Sequence, residues 1–150
     1  MVKHDQNSKQ VEARDLLKRI CDTENLIQNK EISQLIFVAT KVGNVEFLIE
    51  LIHINPNLLW KRDAKGRTIF HIAVEERHIS IFNLLNEVGS IKNLIVEIKT
   101  DDKDNMLHLA AKLAPQHKLN AISGAALQMQ EELIWFKVLI HMLSFVLVSI

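Results

Sequence analysis

Two related segments, 37 positions apart, constrain the fold of this chain more than any other feature. The first is GRTIFHIAVEERH at residues 66–78, and the second is NMLHLAAK at residues 105–112. The shared part begins at Thr68 in the first segment and at Asn105 in the second, continues with apolar residues around a His, and has an Ala two positions after that His. One such unit cannot bury its own apolar side. Its recurrence therefore predicts stacked helical hairpins and not a closed globule.

An earlier and weaker copy precedes these two segments at an offset of 34 positions. That offset aligns four pairs of small or apolar residues: Ala39 with Ala73, Val45 with Ile79, Leu48 with Phe82, and Leu51 with Leu85. In each copy the apolar residues recur three and four positions apart, stop at a turn, and then recur again. That periodicity indicates a helix, a turn and a second helix.

The expected turns coincide with residues that stop or start helices. Gly43 is expected to end one helix in a left-handed conformation, and Asn44 to cap the next. Pro56 ends the second helix of that pair, because the residue before a proline is disfavoured in the helical region. Thr68 is expected to cap the following helix, and Gly89 to end its partner. Between the pairs we predict polar loops at residues 57–67 and 90–104.

The second of these loops contains the run LIVEIK at residues 94–99, which on its own could be a short strand. We predict an extended connection there, without a strand.

Composition narrows the classes of function. The 150 residues are 48% apolar and 24% charged with a formal net charge of zero, which excludes a charged disordered tail and any global attraction to nucleic acid. The single cysteine, Cys21, cannot form an internal disulfide, and the polar N-terminus does not have the pattern of a secretory signal.

Catalytic and metal-binding motifs are not expected. His71 and His108 occupy matching places in their repeats, where an imidazole is expected to hydrogen-bond the backbone of the preceding turn. Asp101, Asp102 and Asp104 have neither the glycine nor the distal glutamate of a calcium loop, so a solvated loop is favoured. We therefore predict no enzymatic activity, no cofactor, no metal and no small-molecule substrate.

The loops between the hairpins carry the candidate partner-binding residues. Four cations lie within seven residues of the first loop, opposed there by Asp63 alone. They could belong to an ordinary solvated loop, or they could steer an acidic partner; nucleic acid is disfavoured because no aromatic residues alternate with them. The candidate residues in the two loops are Lys61, Arg62, Lys65, Arg67, Lys99, Asp102 and Lys103.

The C-terminal segment, residues 133–150, reads LIWFKVLIHMLSFVLVSI and has one full charge, Lys137. An eighteen-residue helix spans roughly 27 Å, slightly less than the roughly 30 Å of a bilayer's hydrocarbon core. Three interpretations of this segment are open: it associates with a membrane or interface, it is buried in the fold, or it is an artefactual tail. If the segment is buried, the side chains expected to face inward are Leu127, Leu133, Ile134 and Phe136.

The loop ending Asp63-x-x-Gly66-x-Thr68, followed by Phe70, His71 and Ala73, resembles the ankyrin repeat. The stretches LLKRIC, NPNLLWKRDAKGRTIFHIAVEERHISIFNLL, NMLHLAAKLAP and ISGAALQMQEELIWFK are similar to plant ankyrin-repeat membrane proteins with a C-terminal PGG domain, related to the accelerated-cell-death group. The similarity covers roughly residues 14–137. It implies a role in plant stress or defence signalling, in the cytoplasm or at the cytoplasmic side of a membrane.

This chain departs from that family at three places. Phe37 replaces the histidine of the motif in the first unit, which is therefore expected to be a degenerate or capping repeat. Lys103 and Asn105 replace the glycine and threonine in the third unit, so its turn is expected to be altered. After Lys137 the chain runs VLIHMLSFVLVSI and stops where the family has its membrane domain, so channel-like roles do not carry over and a truncated product is conceivable.

The sequence thus predicts an all-α protein, a short ankyrin-repeat solenoid of about three hairpins with flanking helices. Its expected function is non-catalytic protein–protein interaction through loops 57–67 and 97–104. The alternatives are a membrane-anchored adaptor that uses residues 133–150, or a non-functional fragment. The expected divisions are a polar N-terminus with a leading helix at 1–32, repeats at 33–113 (about 33–62, 63–99 and 100–113 onward), a C-terminal helix at 114–137 and an apolar tail at 138–150.

Overall fold

The computed structural model describes residues 11–12, 15–16, 19 and 30–147, with side-chain surroundings within the last range for 33–144. Every regular element in these residues is helical, so the predicted all-α class is confirmed. Val11 and Leu16 of the expected leading helix are helical and exposed. Leu17, Ile20, Cys21 and residues 148–150 lie outside the described residues.

The first pair of helices follows the predicted stops and starts. Helix α1 spans Lys30–Val42 and helix α2 spans Val45–Ile54. Gly43 separates them with a φ of 79°, and the side chain of Asn44 accepts a hydrogen bond from the Phe47 amide at 3.2 Å. Asn55 is extended at a φ of −141°, as expected before Pro56, and a 3-10 helix follows at Pro56–Trp60.

The second pair forms the centre of the molecule. Helix α3 spans Ile69–Glu75, and helix α4 spans Ile79–Glu87. Helix α3 contacts α1 and α4, and it also contacts the third-unit helix α6 at Met106–Ala111. Because neighbours cover it on several sides, every α3 residue from Ile69 to Val74 is buried. Gly89 follows α4 with a φ of 68°, at the predicted helix end.

The expectation of an extended connection at LIVEIK is wrong for most of the run. Helix α5 spans Ile91–Glu97 and includes the first four residues of the run. The run becomes extended at Ile98. Ile95 and Val96 are buried, and α5 contacts the long C-terminal helix α8, Ala125–Leu147. Burial of one apolar side against another helix outweighs the local preference of branched residues for a strand.

The C-terminal region differs from the prediction in its bounds. The short helix α7, Gln116–Asn120, precedes α8, which begins only after Gly124 and passes through residues 137 and 138 without a break. The helix expected at residues 114–137 therefore starts later, and it is continuous with much of the expected separate tail.

The prediction of which α8 side chains face inward is wrong for three of four residues. Leu127, Leu133 and Ile134 are 46%, 51% and 47% exposed, whereas Phe136 packs partly against the core. Leu139 and Leu143 are the buried positions, at 0% and 1% exposure. Helix α8 contacts both α5 and α6.

Within residues 30–147, no helix combines the length and the apolar character that crossing a bilayer requires.

Candidate protein-interaction surface

Two loops turn with the same backbone geometry, 37 positions apart. In the first, the Asp63 amide donates to the Arg67 carbonyl at 2.9 Å and the Gly66 amide donates to the Asp63 carbonyl at 3.0 Å. In the second, the Thr100 amide donates to the Asp104 carbonyl and the Lys103 amide to the Thr100 carbonyl, both at 2.9 Å. We call these two turns, residues 63–67 and 100–104, the finger turns.

The second finger turn is not altered by its unusual sequence, contrary to expectation. Lys103 adopts a φ of 65°, close to the 71° of Gly66 at the equivalent position of the first turn. A residue with a Cβ pays a steric penalty in this left-handed region. The turn therefore keeps its shape at the expense of strain at Lys103.

The two finger turns lie directly against each other. The Asp101 amide donates to the Lys65 carbonyl at 3.1 Å, which joins the tips of consecutive units by a backbone hydrogen bond. A Cβ built on Gly66 would collide with the Asp101 side chain and lie 2.9 Å from the Asp101 amide nitrogen. Glycine at 66 is thus required both by its φ and by the close approach of the neighbouring turn.

Arg67, one of the predicted partner-binding cations, is an internal structural residue. Its guanidinium donates to both Asp63, at 2.6 and 2.8 Å, and Glu75, and its side chain is only 14% exposed. Asp63 also accepts from the amides of Lys65 and Arg67, each at 2.9 Å. Burial raises the pKa of Asp63, but the hydrogen bonds from Arg67 and the backbone outweigh it and leave the pKa below its usual value.

The equivalent ion pair in the third unit has the opposite polarity. Lys112 donates to Asp104, and these residues lie 37 positions after Glu75 and Arg67 respectively. The hydrogen bond to Asp104 raises the pKa of Lys112, and the charge of Glu75 adds to this effect. The bases of the two finger turns therefore carry five charges, each near an opposite charge: Asp63, Arg67, Glu75, Asp104 and Lys112.

His71 and His108 occupy the same position, three residues after the cap of their helices. The Thr68 amide donates to His71 Nδ1 at 3.3 Å, and the Asn105 amide donates to His108 Nδ1 at 3.2 Å. The predicted hydrogen bond from each imidazole to the preceding turn is confirmed at both residues. The two environments differ in burial, because His71 is fully buried and His108 is exposed.

His71 also joins its unit to the next. Its Nε2 lies 3.1 Å from the Ile98 carbonyl, and since a carbonyl oxygen only accepts, Nε2 carries the proton and Nδ1 is the acceptor. Both nitrogens are thus used by the neutral ring. Burial lowers the pKa of His71 below its usual 6.5, and the nearby charges of Arg62 and Arg67 lower it further.

A second set of contacts between units, which the sequence did not reveal, lies in the turn between α3 and α4. Arg77 has a φ of 60° and donates to the Lys112 carbonyl at 2.6 Å and to Glu132 at 2.5 and 3.1 Å. Its guanidinium lies 5.5 Å from the centre of the Trp135 ring. On the other side, His78 Nε2 donates to the Lys41 carbonyl at 2.9 Å. Arg77 and His78 therefore fix the central unit to both neighbours.

The remaining predicted partner-binding residues face solvent around the finger turns. Arg62, Lys65, Lys99, Asp102 and Lys103 are exposed and Lys61 is half-buried. None of them forms an ion pair with another residue in the described part of the chain.

One cleft measures about 480 Å³, and none of its lining residues belongs to the finger turns. Ile79, Ile122, Ile134 and Trp135 provide much of its apolar wall, beside the Arg77–Glu132 pair. Over the ranges that the structure describes, no group of three or more His, Cys, Asp or Glu side chains could hold a metal ion.

No protein-family model matches the chain, and no solved structure matches it either.

Proposed function

We propose that this protein is a non-catalytic protein-interaction module of the ankyrin-repeat type, which binds its partner through the finger turns. The resemblance of GRTIFHIAVEERH and NMLHLAAK to the ankyrin motif supports this type. The equivalent histidines and the repeated turn geometry are what stacked copies of one unit require.

The single observation that carries the proposal is the backbone hydrogen bond between Asp101 and Lys65. It holds two exposed loop tips side by side on a buried base, so their relative position is set before any partner arrives. A preorganised surface loses little conformational entropy on binding, and more of the interaction energy then appears as affinity. From the family resemblance we further propose a role in plant stress or defence signalling, in the cytoplasm or on the cytoplasmic side of a membrane.

The test places bulk at the finger turns without changing charge. Ala64 is exposed in the first turn, and Ala64→Trp is expected to abolish recovery of the partner obtained by proximity labelling with the full chain. Asn86→Trp, at an exposed position on α4, is the matched control and should leave recovery unchanged. Both variants should melt at the temperature of the parent chain. Equal recovery by all three proteins would exclude binding through the finger turns.

A second candidate function is a membrane-associated adaptor, and the surface of α8 favours it. Leu133, Ile134, Val138 and Ile140 are between 40% and 51% exposed, which places a band of apolar side chains on the outside of the molecule. Such a band suits adsorption at a lipid interface, with the helix lying in the plane of the surface.

Flotation with neutral phosphatidylcholine vesicles would test the adaptor. Leu133→Gln with Ile140→Gln should release the protein from the vesicles if α8 adsorbs there, while Leu113→Gln, which is exposed elsewhere, should not. A parent chain that never floats with vesicles would remove this candidate.

A further inference from the structure

Five cations lie in or next to the finger turns, and four of them are exposed while Lys61 is half-buried. We call Lys61, Arg62, Lys65, Lys99 and Lys103 the basic ridge. Arg62 and Lys99 each come directly before a finger turn, at equivalent positions of consecutive units. The structural repeat therefore stacks their charges in one column, and the hydrogen bond between the tips brings Lys65 close to the second turn.

The acids at the base of the fingers do not neutralise the basic ridge. Asp63 and Glu75 are paired with Arg67, and Asp104 is paired with Lys112. The exposed acids of the two loops, residues 57–67 and 97–104, are Glu97, Asp101 and Asp102, so five positive charges face three negative ones. The whole chain has a formal net charge of zero, and this local excess of about two positive charges is therefore a property of one surface.

We infer that the finger turns bind an acidic, extended segment of a partner protein that runs across the two units along the basic ridge. This inference rests on the proposed function and specifies its partner. Charge complementarity is the argument: an acidic strand places carboxylates against the column of Arg62 and Lys99, and it accepts hydrogen bonds from the lysines at the tips. Nucleic acid fits less well, because the two acids between the lysines would oppose phosphates and the loop sequences 57–67 and 97–104 contain one aromatic residue, Trp60.

The experiment uses the full chain and a capped oligoglutamate peptide at low ionic strength, with binding followed by calorimetry. Arg62→Glu combined with Lys99→Glu reverses the charge of the column, and this double variant is expected to weaken binding at least about fivefold. Lys41→Glu combined with Lys137→Glu makes the same change in net charge at exposed positions away from the fingers and should change binding less than about twofold. Asp102→Lys is expected to strengthen binding, which a purely structural role for these residues would not produce.

Three results would overturn the inference. One is equal weakening by the two charge-reversed pairs, which would indicate attraction to net charge alone. Another is an Asp102→Lys variant with unchanged affinity. The third is tighter, ridge-dependent binding of duplex DNA or of phosphatidylserine vesicles than of oligoglutamate. If oligoglutamate fails while Ala64→Trp still abolishes partner recovery, the proposed function stands and the acidic partner does not.

Discussion

Lys103 holds a backbone conformation that glycine adopts at lower free energy. Its φ of 65° matches that of Gly66 in the preceding unit, and its side chain is exposed and outside any ion pair in the described residues. Lys103→Gly should therefore raise the free energy of unfolding by about 0.5–1 kcal/mol, measured by urea denaturation. Lys99→Gly, at an exposed position without a positive φ, should lower it. Destabilisation by both substitutions would show that the turn is not left-handed at Lys103.

His71 makes stability depend on pH. Its folded-state pKa lies below its ordinary value of 6.5, because burial and the nearby arginines disfavour the imidazolium. The unfolded chain then binds the proton more readily. The contribution of His71 is therefore complete above pH 6.5 and is lost as the pH falls below it, by at most about 1.4 kcal/mol per pH unit.

Urea unfolding at pH 7.5 and at pH 5.5 would measure this loss. His71→Gln should flatten the pH dependence, and His108→Gln, at the equivalent but exposed position, is the matched control. An identical pH dependence in the two variants would contradict the buried, neutral imidazole.

A sequence shows how many charged residues a loop has, but it does not show which of them form ion pairs. This limited the prediction of the partner-binding residues. Arg67 appeared equivalent to Arg62 and Lys65 because all three lie in one loop. In the fold, its guanidinium turns back to Asp63 and Glu75. Glu75 is on the following helix, so the ion pair depends on the direction in which the chain leaves the turn. That direction cannot be read from the positions of the charges in the sequence.

Helix bounds were predictable where a local residue determines them. Gly43, Asn44 and Pro56 end or start helices by their own backbone and side-chain chemistry, and the structure places the bounds where expected. Helix α5 was missed because its apolar run is explained only by packing against α8. The facing of α8 was missed for a related reason: its apolar residues do not recur with a clear helical period, so the sequence does not show which side is covered.

The position of α8 depends on the pair formed by Arg77 and Glu132. The two side chains are 11% and 19% exposed, and Glu132 also accepts from the Ala114 amide at 3.1 Å. A double-mutant cycle of Arg77→Met and Glu132→Gln should give a coupling energy of roughly 1–3 kcal/mol by thermal or chemical denaturation. The parallel cycle of Arg77→Met with Glu131→Gln should give a coupling close to zero, because Glu131 is exposed and forms no ion pair in the described part of the chain. Equal coupling energies in the two cycles would mean that Arg77 acts through long-range electrostatics and not through a specific ion pair with Glu132.

Small residues set how closely α3 and α6 approach. Ala73 and Ala110 are 0% and 4% exposed on these contacting helices. Ala110→Leu should overpack the contact and lower the free energy of unfolding by about 1–3 kcal/mol. Ala111→Leu places the same side chain at an exposed neighbouring position and should change it by less than about 0.5 kcal/mol. A neutral Ala110→Leu would show that α6 does not pack through this face.

The whole molecule depends on contacts between consecutive units. Helix α3 lies between α1 and α6, His78 reaches back to the Lys41 carbonyl, and Arg77 reaches forward to α8. In a repeat architecture, contacts of this kind between neighbours supply much of the stability of each unit. The finger turns can then stay exposed, because contacts at the buried bases of the units stabilise the fold.

Nitrogen-15 NMR of the His71 ring tests this dependence most directly. The account predicts a single tautomer protonated at Nε2, a slowly exchanging Nε2 proton, and nuclear Overhauser effects from that proton to the Ile98–Lys99 segment of the next unit. A rapidly exchanging ring proton with averaged tautomers and no effects to residues 98–99 would contradict it, since His71 would then not join the central unit to its neighbour.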